Sequence, residues 1–216
     1  TYGKVMLPTS QLEKGWVNSN ILSIIDPKKG EVYASVPFDY TIKGGADPWG
    51  LAISPDGKEL YATLAGVNEL AILNLHDLHR FLAGEAMPEG LAQSDANAKI
   101  AYDVWKGIYD DPSKRTELID QFAALYAAGL IHRYELPLTN PRGIDLSPDG
   151  ETLSISGYFS GDVAQFDLKT REVSEVISMG GQPDMTLARK GEILFHDATS
   201  TYQKWLSCVS CHPHGR

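Results

Sequence analysis

Cysteine is almost absent from this chain. Among 216 residues there are two, Cys208 and Cys211, both within the last nine positions. No cysteine is left for a second ligand pair at zinc-finger spacing elsewhere. Positive charge is also short: 19 Lys and Arg stand against 28 Asp and Glu, a formal net charge of −9. That balance argues against nucleic acid or an anionic membrane as partner. The acidity is spread along the chain, so ordinary solubility accounts for it. No apolar run approaches the roughly 20 residues a membrane span needs. Nothing resembles a hydrolytic triad or a paired-carboxylate site. The chain starts at Thr1 without a Met or a signal peptide and stops inside a motif. It reads as an internal piece of a longer protein, so the missing leader says nothing about location.

What is there is most informative at the end. Cys208-Val209-Ser210-Cys211-His212 has the attachment pattern for a c-type haem. Each cysteine sulfur adds to one vinyl group of the porphyrin, so two thiols must reach two edges of one ring. Positions i, i+3 and i+4 share one side of a helical turn. His212 then lies under the iron as the proximal ligand. Two other readings stay open. A redox dithiol needs a βαβ setting that this sequence lacks. A zinc site could use Cys208, Cys211, His212 and His214, although adjacent ligands at 211 and 212 are awkward for one tetrahedral ion.

The flanking residues carry a resemblance. Arg189-Lys-Gly-Glu-Ile-Leu-Phe195, followed by Ser207-Cys-Val-Ser-Cys-His-Pro-His-Gly-Arg216, resembles the opening of a cytochrome c domain of the di-haem cytochrome c peroxidase-like group. The resemblance covers residues 189 to 216. It implies that Cys208 and Cys211 are the thioether positions, that His212 is the proximal ligand, and that the cofactor is haem c. Arg216 is near enough in sequence to reach a propionate. Met185 and His196 precede the motif, whereas the sixth ligand of such domains usually follows it, so both are discounted. Haem c is attached outside the cytoplasm, which implies a periplasmic or otherwise extracytoplasmic location.

A repeat is the second feature. Pro48-Trp-Gly-Leu-Ala-Ile-Ser-Pro-Asp-Gly57 matches Pro141-Arg-Gly-Ile-Asp-Leu-Ser-Pro-Asp-Gly150 at an offset of 93, without a gap through Leu75 and Leu168. A third unit begins weakly at Gln182-Pro183, and the 42 positions from Pro141 to Pro183 are the period of a four-stranded propeller blade. Leu51–Ile53, Ile144–Leu146 and Leu60–Leu64 read as strands, and Ser-Pro-Asp-Gly reads as a turn. Ile21–Asp26, a Lys28-Lys29-Gly30 turn and Glu31-Val32 repeat the late-blade pattern of Val163–Asp167, Lys169–Arg171 and Glu172-Val173. These units resemble the YVTN family of β-propellers. The fold class expected is mainly β: a partial propeller of about three blades with an α-helical insertion and the helical start of a cytochrome c domain. Trp49, Tyr158 and Phe159 read as blade-packing residues.

The insertion occupies about 76–138. Leu78–Leu82 reads as a short apolar turn ending at Gly84. Ser94 or Asp95 can cap a helix to Ile108 with Ile100, Val104 and Ile108 on one face. Pro112 and Ser113 open a second helix that carries Leu118, Ile119, Phe122, Leu125 and Tyr126 and ends at Gly129. This predicts a helical hairpin on one propeller face, serving as a docking side or as a lid. His76 and His79 form a lone i, i+3 pair and are not taken as a site. Residues 1–182 are expected to form the propeller part and 183–216 the cytochrome start, with Leu187–Phe195 helical and Leu194 and Phe195 facing a haem-domain core. Two functions compete. One is a haem redox protein that passes electrons to a redox partner protein or chain, or reduces peroxide. The other is a propeller scaffold whose Cys-x-x-Cys-His is a tether or a metal or dithiol site.

Overall fold

The computed structural model describes residues 19–89, 91, 96–180 and 184–213. The expectations placed on Ser94, Asp95, Gln182, Pro183, His214 and Arg216 lie outside the described residues. A hairpin comes first, β1 (Ile21–Asp26) paired antiparallel with β2 (Glu31–Pro37). Next come β3 (Pro48–Ile53), β4 (Glu59–Leu64) and β5 (Glu69–Asn74), then α1 (Leu75–Leu82), α2 (Ala96–Asp110), a 3₁₀ stretch (Pro112–Asp120), α3 (Ala124–Ala127) and β6 (Ile131–Glu135). The second repeat follows as β7 (Pro141–Leu146), β8 (Thr152–Gly157), β9 (Asp162–Asp167) and β10 (Glu172–Ser178). The sheets run β3-β4-β5-β6 and β7-β8-β9-β10. The chain is mainly β, a partial β-propeller with a helical insertion. Among the described residues no helix is long and apolar enough to cross a membrane.

The repeat holds residue for residue. β3, β4 and β5 begin and end 93 positions before β7, β8 and β9. The glycine of each Pro-x-Gly has a steric reason. A Cβ on Gly50 would lie 2.2 Å from the Arg142 carbonyl oxygen, and one on Gly143 would lie 2.5 Å from Ser156 Oγ. Buried Thr63 joins the two sheets, accepting from Gly50 N–H at 2.8 Å and donating to the Arg142 carbonyl at 3.1 Å. Around it Tyr61, Leu70, Ile72, Leu136, Leu138, Leu153, Ile155 and Phe166 form one apolar core. Burying each such side chain contributes about 1.5–3 kcal/mol.

The Ser-Pro-Asp-Gly turns close through their side chains. Ser54 Oγ donates to Asp56 Oδ1 at 2.7 Å and accepts the N–H groups of Lys58 and Glu59, while Gly57 takes φ +71°. Ser147 and Asp149 repeat this, with Gly150 at φ +77°. The hydrogen bond from Ser54 and those from Lys58 hold the Asp56 carboxyl at about 2, below its ordinary 3.8. Its ionised form therefore steadies the turn fully above pH 3.8, and that contribution is lost as the pH falls through about 2. An NMR titration of Asp56 should show this midpoint, and Ser54→Ala should bring it back towards the ordinary value. An ordinary midpoint in the unaltered protein would contradict the turn geometry.

Two compact units are present. One holds the described residues up to Gly44 with Leu73–His132; the other holds Gly45–Ile72 with Arg133 onward. In the first unit, Asn74 caps α1 by accepting from Asp77 N–H, and Leu75, Leu78, Phe81 and Leu82 form its buried face. His76 and His79 are exposed.

Two expectations are corrected here. The helical insertion is shorter than about 76–138, because Ile131–Glu135 is a strand and completes the first four-stranded sheet. Ile100, Val104 and Ile108 share one face of α2, as expected, and line an open groove of about 310 Å³ beside Lys114 and Glu117, while Ala101 and Trp105 are buried along with Ile108. The expected second helix is a 3₁₀ stretch over Pro112–Asp120 and a single turn over Ala124–Ala127. Only Leu118 is buried in that 3₁₀ stretch, too little to hold a regular helical stripe against a partner. Arg115 pins it to β2 instead, donating to the Tyr33 carbonyl at 2.9 Å with its guanidinium 4.1 Å from the Tyr33 ring.

Trp105 is the anchor of this unit. It is fully buried, donates from Nε1 to the Ala124 carbonyl at 2.9 Å and meets Phe81 edge-on at 5.7 Å. Trp105→Ala should destabilise the unit by about 3–5 kcal/mol in a denaturant titration. A loss below about 1 kcal/mol would show that the packing is not as described.

Candidate haem attachment site

The Cys208-x-x-Cys211-His212 motif lies in the second unit, beyond β10. Helix α4 (Leu187–His196) starts at Thr186, whose Oγ1 accepts from Arg189 N–H at 3.1 Å. It matches the expected helix and runs one residue further. Leu194 is exposed and Phe195 half-buried. Arg189 ties α4 to the second blade: its guanidinium stands 4.6 Å from the Phe159 ring, and it donates to the Tyr158 carbonyl at 3.2 Å and to Glu192 at 2.7 Å.

The aromatic residues expected to pack between blades divide in two. Trp49 and Tyr158 are about half exposed, and the Arg142 guanidinium lies between them, 4.1 Å and 3.9 Å from their rings. Only Phe159 is buried. Arg142 donates to Asn140 Oδ1 at 2.6 Å and sits 3.5 Å from His196 Nδ1. Burial, and then the Arg142 charge, push the His196 imidazole below its ordinary value, towards the neutral form. His196 is thus engaged with Arg142 and Phe159.

Past His196 the chain returns to the first blade. Ala198 N–H donates to the Gly66 carbonyl at 2.8 Å, and Trp205 is fully buried. The single turn α5 (Cys208–Cys211) then carries the motif. Ser207 caps it and Ser210 returns the bond, accepting from Ser207 N–H at 3.0 Å. Cys208 and Cys211 are both exposed and neither is in a disulfide, and His212 follows, also exposed. The turn is anchored on the propeller by Asp47: Oδ2 accepts from Ser207 Oγ at 2.5 Å, and Oδ1 accepts from Ser210 Oγ at 2.7 Å.

This donor set fits haem c. Two accessible thiols lie one helical turn apart and an imidazole comes next, with the protein side of the turn fastened and the reactive side open. Cys208 and Cys211 would hold the ring and His212 the iron. The zinc reading would need His214 as well, which lies outside the described residues. Sequence reasoning missed Asp47, Arg142 and Arg189. The repeat held a signal for the first, since one position before the Pro-x-Gly units Asp47 stands opposite Asn140 at the same offset of 93.

No family model matches this chain. It is 29% identical over 160 residues, 74% of its length, to hydrazine synthase subunit beta of Kuenenia stuttgartiensis. It spans 34% of that protein, about a third of the curated relative's length. Among solved structures, Kuenenia stuttgartiensis hydrazine synthase shares 26% identity at a TM-score of 0.48, over 74% of this chain and 38% of that chain. The Myceliophteria thermophila Cps50 (Swd1) β-propeller domain shares 12% at 0.43, over 77% and 39%. Dihydro-heme d1 dehydrogenase NirN in complex with DHE shares 16% at 0.38, over 74% and 22%. Similarity to a hydrazine synthase beta subunit accompanies the blade repeat, and the chain is a propeller protein.

Proposed function

We propose that this chain is the propeller part of a haem c redox protein acting in electron transfer outside the cytoplasm, with residues 183–216 opening a cytochrome c domain of the di-haem peroxidase-like group. The observation that carries this is the turn itself: Cys208 and Cys211, exposed and outside any disulfide, on one helical turn, with His212 next. Haem bound there supplies a one-electron couple at iron. Cys208 and Cys211 would carry the ring and His212 would bind the iron, on a turn that Asp47 holds to the propeller. For simple electron transfer a second ligand would also have to close the iron's remaining position. Peroxide reduction asks instead for an open iron position with acid–base groups beside it. The curated relative is named as a subunit, which supports protein partners: companion subunits or a redox partner. Its likeness also supports a redox assembly as the setting.

The test is a pyridine haemochrome spectrum of the full-length protein made with a cytochrome c maturation system and then denatured. Haem that stays with the polypeptide is the expected result. No retained haem, or stoichiometric zinc in its place, would end the cytochrome reading and favour a scaffold or metal role.

A further inference from the structure

The two serines of the motif are fastened by a residue some 160 positions earlier in the chain, on a different blade element. Asp47 lies just before β3, at φ +58°, a region that Asp and Asn tolerate. Its equivalent in the next blade, Asn140, has the same φ of +58°. Asn140 serves the blade there, donating from Nδ2 to the Ala65 carbonyl and accepting from Arg142. The backbone position is therefore satisfied by an amide. The carboxylate at 47 needs another reason, and the serine pair supplies it.

Proton counting makes the reason specific. A hydroxyl has one proton to give and lone pairs to accept with. Ser207 Oγ accepts the Ser210 N–H, and Ser210 Oγ accepts the Ser207 N–H. Each hydroxyl proton is then free for an acceptor outside the turn. A carboxylate offers two oxygens and no donor, and Asp47 uses one on each serine. An amide would offer one oxygen and set an NH₂ group against the second hydroxyl. Space is made for the carboxylate as well: a Cβ on Gly66 would lie 2.6 Å from Asp47 Oδ2. Ala65 N–H donates to the Asp47 carbonyl at 2.9 Å, and Gly66 also receives Ala198 N–H, so the same β4–β5 turn holds both Asp47 and the approach to the motif.

We propose that Asp47 is the positioning residue of the haem-attachment turn: one propeller carboxylate orients both capping serines and so fixes how Cys208, Cys211 and His212 stand on the blade. This rests on the haem reading above for its functional meaning, and it makes the propeller part of the haem site. Ser207 and Ser210 each immediately precede one of the two thiols, so the Asp47 charge would lie near a haem held there. Removing that charge disfavours the more positive ferric state, and the potential rises.

Asp47→Asn tests this in the full-length protein matured with haem c, alongside a Ser207→Ala/Ser210→Ala double variant that leaves the blade residue in place. Covalent haem per chain should be unchanged in Asp47→Asn. Its reduction potential should rise, and amide exchange across residues 207–212 should speed by about tenfold or more, as expected on loss of a charge-assisted hydrogen bond. The serine variant should show the same faster exchange, and combining it with Asp47→Asn should add nothing further. Wild-type exchange and potential in Asp47→Asn would overturn the proposal. If Asp47→Asn does not fold, unchanged exchange in the serine variant overturns it. If the unaltered protein retains no haem, the functional reading falls, while the exchange comparison on the haem-free protein still decides the clamp.

Discussion

Cys208→Ala and Cys211→Ala should each lose most covalently retained haem, and the double variant should retain none after denaturation. On the haem reading each sulfur would be one of two thioether points, so a single variant would leave one vinyl group unreacted and the ring held by one edge. The thiols are exposed on α5 and sit in a turn whose cap lies on Ser207 and Ser210, so alanine at 208 or 211 spares the local fold. His212→Ala should behave differently. Both thioethers remain possible, but the proximal bond is gone and the visible spectrum of the folded protein changes, because the axial imidazole sets the iron's electronics. The measurement is haem per polypeptide after denaturation, paired with the native spectrum. Full covalent haem in the double cysteine variant would place attachment elsewhere. An unchanged native spectrum in His212→Ala would remove His212 from the iron.

Arg133→Met should be among the most damaging single changes in the propeller. Glu69 on β5 and Arg133 on β6 form an ion pair at 2.5 Å, with 1% and 6% of their side chains exposed. Both charges have left water, and the pair repays that cost only while it is intact. Removing Arg133 leaves the Glu69 charge buried, a loss of about 3–5 kcal/mol. For a chain of this size the midpoint of thermal unfolding should fall on the order of 10 °C. Glu69→Leu with Arg133→Met should recover most of the loss, since two apolar residues replace the pair without a stranded charge. A single variant within about 0.5 kcal/mol of the unaltered protein would mean that β6 is not seated in the first sheet.

Much of the blade architecture was legible because blades are made of local chemistry. Ser54-Pro-Asp-Gly57 closes on its own side chains, Pro48-x-Gly50 marks a strand start, and the offset of 93 carries from sequence to strand bounds without a slip. The haem-type pattern is also local, since two thiols and one imidazole on one turn need only five residues. The helical insertion was legible as an interruption but not in its detail. Which face of α2 is buried, and whether Pro112–Asp120 winds as an α-helix, depend on what packs against them, and Trp105 and Arg115 find partners at Ala124 and Tyr33. Strand β6 was hidden because 56 residues separate Asn74 from Ile131, and periodicity in five residues cannot name a partner so far back. Asp47 was out of reach for the same reason. By sequence alone it is one acidic residue before a proline. Only the folded chain brings Ser207 and Ser210 onto its two oxygens. The sequence by itself determined the blades, their turns and the haem-type motif, all interactions within a few residues; tertiary structure alone decided what that motif stands on, because hydrogen bonds between distant segments leave no periodic trace in either one.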